Sequence, residues 1–382
     1  MKHLVMVAKS PWHPAIRREH ALAAQATANG LHLDFIEAPT DIRRLGSSER
    51  MTWLRSFRPV PVQRSGSAFT THSRSTLVPG HRNAAAAAVD NLLLRRTVNA
   101  LCAAGDPSDT AVVVNVPWQW AATKDVVARR VFDAADDWNA LLDGKRPHVR
   151  RMYQQIATEA DTIIVANESL AALFPGREVV FVPNGAQSDL VGASTRPVGT
   201  SRRMVYVGTF SERFDADLVR DVMTRLPDWT LDLYGQFRYA GYGEEPAPEF
   251  AQLLEQFGPR IRWHGVVQRP EIAAVLDNAA VALVPHRPRY CRGQSSMKFL
   301  DYAARGRPVV STTWETGLDR QSPPGVWFAD EPASFARAVL AAADVDPATS
   351  ASALAWARDQ TWEQRWPKWA GAVFGVTADL SR

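Results

Sequence analysis

At 382 residues, 46% of them apolar and 22% charged, the chain is too long for one ordinary hydrophobic core and has the composition of a two-domain globular protein. A formal net charge of +4 and an isoelectric point near 9.2 suit phosphate-bearing ligands, whereas no basic run interleaved with aromatics argues for a nucleic-acid groove. Cys102 and Cys291 make neither a disulfide framework nor a metal cluster, no apolar run is long enough to span a bilayer, and the N-terminus lacks a signal-peptide core, so the cytoplasm is the expected compartment.

The chain opens with a strand at Leu4–Ala8, a helix from about Pro14 to Asn29 stopped by Gly30, and a second strand, LHLDFIE. This βαβ unit predicts a parallel sheet with right-handed crossovers. No G-x-G-x-x-G follows the first strand, which removes most support for a dinucleotide-binding oxidoreductase. Ile42–Arg58 carries five Arg among Met51, Trp53, Leu54 and Phe57. It reads as a solvated loop and helix, or else as an acceptor-facing or membrane-skimming surface.

Residues 83–104 predict a long helix, and TAVVVNVPWQW a strand and its exit. Trp118 and Trp120 there can stack on a ligand or belong to a core rim. A strand ending at Phe132 leads into DAADDW, whose Asp136 and Asp137 either serve a site or cap the next helix. Strand, helix and strand follow to Pro183-Asn184-Gly185, and the small, polar stretch Asp189–Arg203 reads as an interdomain linker.

The second half repeats the alternation. A strand at Val205–Val207 meets Gly208, where backbone can approach a phosphate, and a helix begins near Asp215. WTLDLYG, a helix near Ala247–Phe257, RIRWHGVV and a helix at Arg269–Ala280 come next. The strand VALVP ends at His286 and Arg287. Beyond it, a helix is predicted from Ser295 or Ser296 to Gly306, with Lys298 and Asp301 on one face. Free backbone N–H groups at such a helix start, with Lys298 beside them, suit a phosphate, and Asp301 suits sugar hydroxyls.

The stretch SMKFLDYAARGRPVVST resembles the donor-binding segment of GT-B glycosyltransferases, family 4 and teichuronic-acid-type relatives above all. Their pattern is P-x-K-x-x-E-Y-x-A-x-G-x-P-V-V-S-T. Here Asp301 stands at the family's Glu, and Gly293 stands where many members carry a second Glu, whose role therefore does not transfer. VGTFSERF resembles the V-G-T-x-x-E-R-F of the teichuronic type, and DAADDW resembles its Y-D-x-x-D-D-W. Val182–Gly185 resembles the loop ending the first domain, Gly265-Val266-Val267 a loop that meets the nucleobase, and TWEQRWPKWAGAVFG the returning C-terminal helix.

The resemblance implies an α/β fold of GT-B type: two Rossmann-like domains facing across a cleft. Residues 1–190 would hold the acceptor, 201–360 a nucleotide-diphospho-sugar donor, and 361–382 would cross back to the first domain. Donor-side candidates are Gly208, Thr209, Arg213, Gly265, Val266, Arg287, Ser295, Ser296, Met297, Lys298 and Asp301. Asp136, Asp137 and His286 are candidates for the chemistry. Trp12, His13, Arg17, Trp118, Trp120 and Trp138 are candidates for the acceptor wall. The implied reaction is glycosyl transfer to a cell-surface glycan or small natural product, retaining if family 4 is right. Nothing in the sequence calls for a cofactor beyond the donor co-substrate, nor for nucleic acid. No D-x-D or His cluster marks the second half, so catalysis without metal is expected. A non-hydrolysing sugar-nucleotide epimerase and a silent sugar-nucleotide-binding protein share the fold and stand as alternatives.

Overall fold

The computed structural model describes residues 1–12, 17–41, 60–63, 68–76, 78–142, 144–192, 201–239, 242, 245–291, 294–313 and 322–375. His13, Gly293 and the Arg-rich stretch 42–58 lie outside these. The chain divides into two compact units: Met1–Asn184 with Arg365–Arg382, and Gly185–Gln364. The first division thus falls within Pro183-Asn184-Gly185.

In the first unit the strands are β1 (His3–Val7), β2 (His32–Ile36), β3 (Thr40–Asp41), β4 (Val60–Gln63), β5 (Phe69–Ser73), β6 (Ser75–Thr76), β7 (Thr110–Val114), β8 (Arg129–Ala134), β9 (Thr162–Val165) and β10 (Val180–Phe181). Eight of them form one sheet in the order β10-β9-β8-β7-β1-β2-β5-β4, parallel throughout except for the β4–β5 edge pair. LVMV and AVVV read as unbroken apolar runs, as strands of a sheet covered on both faces do, and every residue of β1 and β7 is buried.

The helix Ala84–Ala103 shows how sequence sets this layer. Asn83 starts it by accepting a hydrogen bond from the Ala86 N–H, and Leu94, Val98 and Cys102 recur at helical spacing on the face that enters the core. Leu94→Ala would cost about 2–5 kcal/mol, read as a lower denaturation midpoint. Beneath the Arg18–Ala28 helix, Arg18 Nε reaches both Asp133 oxygens at 3.1 and 3.0 Å, and Trp369 Nε1 donates to the same carboxylate at 3.1 Å. All three side chains are buried, so removing either charge would leave the other unpaired, a loss of about 3–5 kcal/mol.

The second unit carries β11 (Arg203–Val207), β12 (Thr230–Tyr234), β13 (Ile261–Trp263), β14 (Val281–Val284), β15 (Val309–Ser311) and β16 (Val326–Phe328). They pair in parallel in the order β13-β12-β11-β14-β15-β16. Counted from the unit's own first strand this is 3-2-1-4-5-6, the doubly wound order of nucleotide-binding sheets. The switch point, where such sheets take ligands, lies beyond the carboxyl ends of β11 and β14.

Some elements differ from expectation. The helix after Ser295 and Ser296 spans only Lys298–Ala303, and neither serine side chain caps it in the usual way. The expected Arg269–Ala280 helix is a 3₁₀ turn, Arg269–Glu271, followed by Ile272–Asp277, because Pro270 favours the first turn and Asn278 closes the last. The β8 strand runs two residues past Phe132, to Ala134, since Ala134 is also buried and pairs with Val165.

Candidate donor site at the sheet switch point

Three segments converge at the switch point of the second unit: the loop after β11, the end of β14 and the start of the Lys298–Ala303 helix. Gly208 follows β11 with φ +155, and a Cβ there would lie 2.4 Å from Lys298 Cε and 2.8 Å from its Nζ. The lysine therefore rests on bare backbone. Gly235 is held to glycine for a similar reason, since a Cβ there would meet the Gly208 carbonyl oxygen at 1.9 Å. Ladder bonds continue past the strands, Gly208 N–H to Tyr234 O at 2.8 Å and Gly235 N–H to Gly265 O at 2.7 Å. Those bonds align the exits of β11, β12 and β13.

Beneath the lysine, its Nζ stands 5.3 Å from the centre of the Tyr206 ring. Tyr206 OH donates to Thr209 O at 3.2 Å and lies 3.1 Å from His286 Nε2, which makes that nitrogen the donor to the phenol oxygen. Phe210 and Phe214 pack on Tyr206 with ring centres 5.1 Å away and buttress the loop from below. Tyr302 OH accepts from Val207 N–H at 3.0 Å, tying the short helix to the end of β11.

The electrostatics are one-sided. Burial, followed by the charge of Arg213, brings Lys298 down to about 8. Burial, then Lys298 and Arg213, holds His286 well below its ordinary range, so its ring is neutral. Arg213 donates through Nη1 to the Gln294 side-chain oxygen, and among the described residues no carboxylate pairs with Arg213 or Lys298. Among the described residues these two partly buried cations thus have no carboxylate partner. Asp301, one turn on from Lys298, is raised by burial to about 7 despite the opposing charges of Arg269 and Lys298. Its Oδ1 is buried and accepts no hydrogen bond from any described residue. Arg269 is itself held by Asp189 at 2.6 Å and Gln187 at 3.0 Å.

Of the donor-side candidates, Gly208, Thr209, Arg213, Ser296, Lys298 and Asp301 come together here. Ser296 Oγ accepts from the Lys298 N–H at 3.3 Å, Ser295 is half-buried beside it, and the Met297 carbonyl accepts from the Asp301 N–H at 3.0 Å. Gly265, at φ +72, and the 56% exposed Val266 form the loop beyond β13. Arg287 is engaged elsewhere, 3.1 Å from Asp217 and 3.6 Å from Asp215, where it fastens the loop that carries Arg213. Tyr206, Gln294, Arg269 and Tyr302 were not singled out by sequence. Only the tyrosine in VYVG, two residues before a phosphate-type glycine, offered a signal.

The first unit sorts its candidates differently. Asp136 receives Lys9 Nζ at 2.6 Å. Burial acts to lower Lys9, but Asp136 and Glu19 keep it above its ordinary value. Asp137 caps the turn Trp138–Leu141 by accepting from Asn139 and Ala140 N–H. Trp12 packs 4.7 Å from Phe69 and 5.0 Å from Phe35, and its N–H donates to Glu37. The backbone of Arg17 starts the Arg18–Ala28 helix. Trp138 meets Trp118 edge-on at 4.8 Å. Trp120, 1% exposed, donates to Glu159 at 2.9 Å and packs on Phe132 as core rather than as a stacking platform.

Two Rossmann-like sheets in one chain make the GT-B architecture, and the chain is a glycosyltransferase of this fold. Residues 201–344, which contain the whole switch-point site, match the sequence profile described as Glycosyl transferases group 1. No curated protein matches the chain in sequence. Among solved structures it is similar to sucrose-phosphate synthase of Thermosynechococcus elongatus, at 15% identity over 97% of this chain and 98% of that one, with a TM-score of 0.72. It is also similar to the UDP-forming α,α-trehalose-phosphate synthase of Burkholderia xenovorans, solved with glucose-6-phosphate, at 14% identity over 98% and 100% of the two chains and a TM-score of 0.67. A third, TarM of S. aureus in a complex that includes UDP, covers 74% of this chain and 59% of its own at 12% identity and a TM-score of 0.58. Among the described residues no helix is long and apolar enough to cross a membrane.

Proposed function

We propose that this chain transfers a sugar from a nucleoside-diphosphate sugar held by the second unit to an acceptor hydroxyl bound by the first. The observation that carries this reading is the uncompensated pair Lys298 and Arg213 above Gly208. In such a site an anion of two or more charges relieves the repulsion and restores Lys298 to its charged form. As the bond from the sugar's anomeric carbon to the phosphate oxygen breaks, negative charge collects on the departing diphosphate, where those two side chains stabilise it. The acceptor oxygen forms the new bond and passes its proton to the departing diphosphate oxygen.

Asp301 takes the ribose hydroxyls with its buried oxygen, and the Gly265-Val266 loop lies against the base. His286, neutral and held by Tyr206, lines the sugar side. Trp12, His13, Arg17, Trp118 and Trp138 stay with the acceptor, as do Asp136 and Asp137. Membership in family 4, retention of configuration, catalysis without metal and a cytoplasmic setting, with or without peripheral membrane contact, go with this reading.

UDP heads the panel of nucleotides, since two structural neighbours are UDP-forming or UDP-bound by their descriptions. The test is release of nucleoside diphosphate from a panel of nucleotide sugars with and without acceptor sugars, sugar phosphates among them. Release that depends on acceptor supports transfer. Interconversion of donor sugars without an acceptor would instead indicate an epimerase, and donor binding with no turnover would indicate a silent binder.

A further inference from the structure

A second cluster lies at the other end of the first unit's sheet. His3 begins β1 and His32 begins β2, and the parallel register sets them side by side. Asp34, two residues along β2, projects from the same face. His3 Nε2 stands 2.8 Å from Asp34 Oδ2, and His32 Nε2 stands 3.4 Å from that oxygen. We propose that His3, His32 and Asp34 bind one divalent transition cation of the zinc type.

Their three ligating atoms all lie within 4.8 Å of one another. Around a tetrahedral zinc with bonds of about 2.0–2.1 Å, neighbouring ligand atoms are about 3.3 Å apart, so small side-chain adjustments suffice. Two imidazoles and one carboxylate are an N,N,O set that suits this ion. Coordination needs the proton of each neutral ring on Nδ1, leaving the Nε2 lone pair free, and the carboxylate offsets half of the ion's charge.

The surroundings support the set. His72 Nε2 meets the other Asp34 oxygen at 2.6 Å, an outer partner that orients a ligating carboxylate. His32, with a third of its side chain exposed, leaves the fourth position open to water.

The site is at the amino ends of the strands, whereas Lys9 and Asp136 follow the carboxyl ends of β1 and β8. Five residues of strand separate the two by about 17 Å. The cation would clasp the start of β1 to β2 and take no part in glycosyl transfer.

The experiment titrates Zn²⁺ alone into the chelator-stripped full-length chain by calorimetry, with Co²⁺ absorption as a spectroscopic reading. One equivalent bound, a higher melting temperature with Zn²⁺ and tetrahedral ligand-field bands with Co²⁺ are expected. His32→Ala should weaken binding at least about tenfold while its melting temperature in EDTA matches wild type. His32→Gln, which keeps side-chain length, serves the same purpose should the alanine variant fold poorly. No stoichiometric binding by wild type, or unchanged affinity in a folded His32 variant, would overturn the site and leave a hydrogen-bonded His–Asp–His chain.

Discussion

The ammonium of Lys298 stands 2.8 Å from the point where a side chain at Gly208 would begin, so the lysine and the bare backbone after β11 form one device. Neither residue has its role without the other. Gly208→Ala would force the lysine aside and strain a backbone at φ +155. We predict that donor affinity falls by the same factor in Gly208→Ala, in Lys298→Ala and in the double variant. Calorimetry with a nucleoside diphosphate decides this, and additive losses would separate the two residues.

The lysine also sets a pH dependence. Lowered to about 8 in the free protein, Lys298 is partly neutral above that pH. Bound phosphate favours the ammonium, so binding takes up a proton above about pH 8 and affinity should fall as pH rises from 8 to 10. Lys298→Ala should remove that slope, together with about 1.5–3 kcal/mol of binding. A slope that persists in the variant would assign the titration to another group.

Asp301 carries opposite signs for stability and for ligand. With its value raised to about 7, the folded protein favours the protonated acid, and that contribution is lost as pH rises through 7. Asp301→Asn should therefore melt higher than wild type at pH 8. It should bind nucleoside diphosphates about fivefold more weakly, because charge-assisted bonds to ribose become neutral ones. Free pyrophosphate, which has no ribose, should bind almost as before. A lower melting temperature with unchanged affinity would return Asp301 to a plain helix-start role.

Chelation should leave turnover intact at temperatures well below melting. On the proposed reading, Arg213 and Lys298 would supply the positive charge that a divalent ion otherwise brings to a diphosphate. Turnover lost in EDTA and restored by magnesium or manganese, but not by zinc, would show that the donor site needs a metal of its own.

Much of the second unit was legible because its signals are local. Apolar runs such as VALV predict buried parallel strands, and SMKFLDYAARGRPVVST keeps its lysine, carboxylate and glycine at fixed spacing on one short segment. The helix there is shorter than its sequence suggests, Lys298–Ala303, and Tyr302 near its end is tied to the Val207 N–H.

The residues that complete the sites were not legible. The fold shares the Asp217 carboxylate between Arg220 and Arg287 and leaves Arg213 to Gln294, a pairing that no local spacing announces. Lys9 reaches Asp136 across 127 residues, and Tyr206 reaches His286 across 80. His3 and His32 show no metal-type spacing, and only the register of β1 on β2 makes them neighbours.

Sequence by itself determined which segments become strands and helices and where a lysine and a carboxylate fall within one helical turn, because those depend on the period of a single segment. Tertiary structure alone decided which charges are paired and which are left over. That follows from strand order and register, which bring together side chains no local pattern relates.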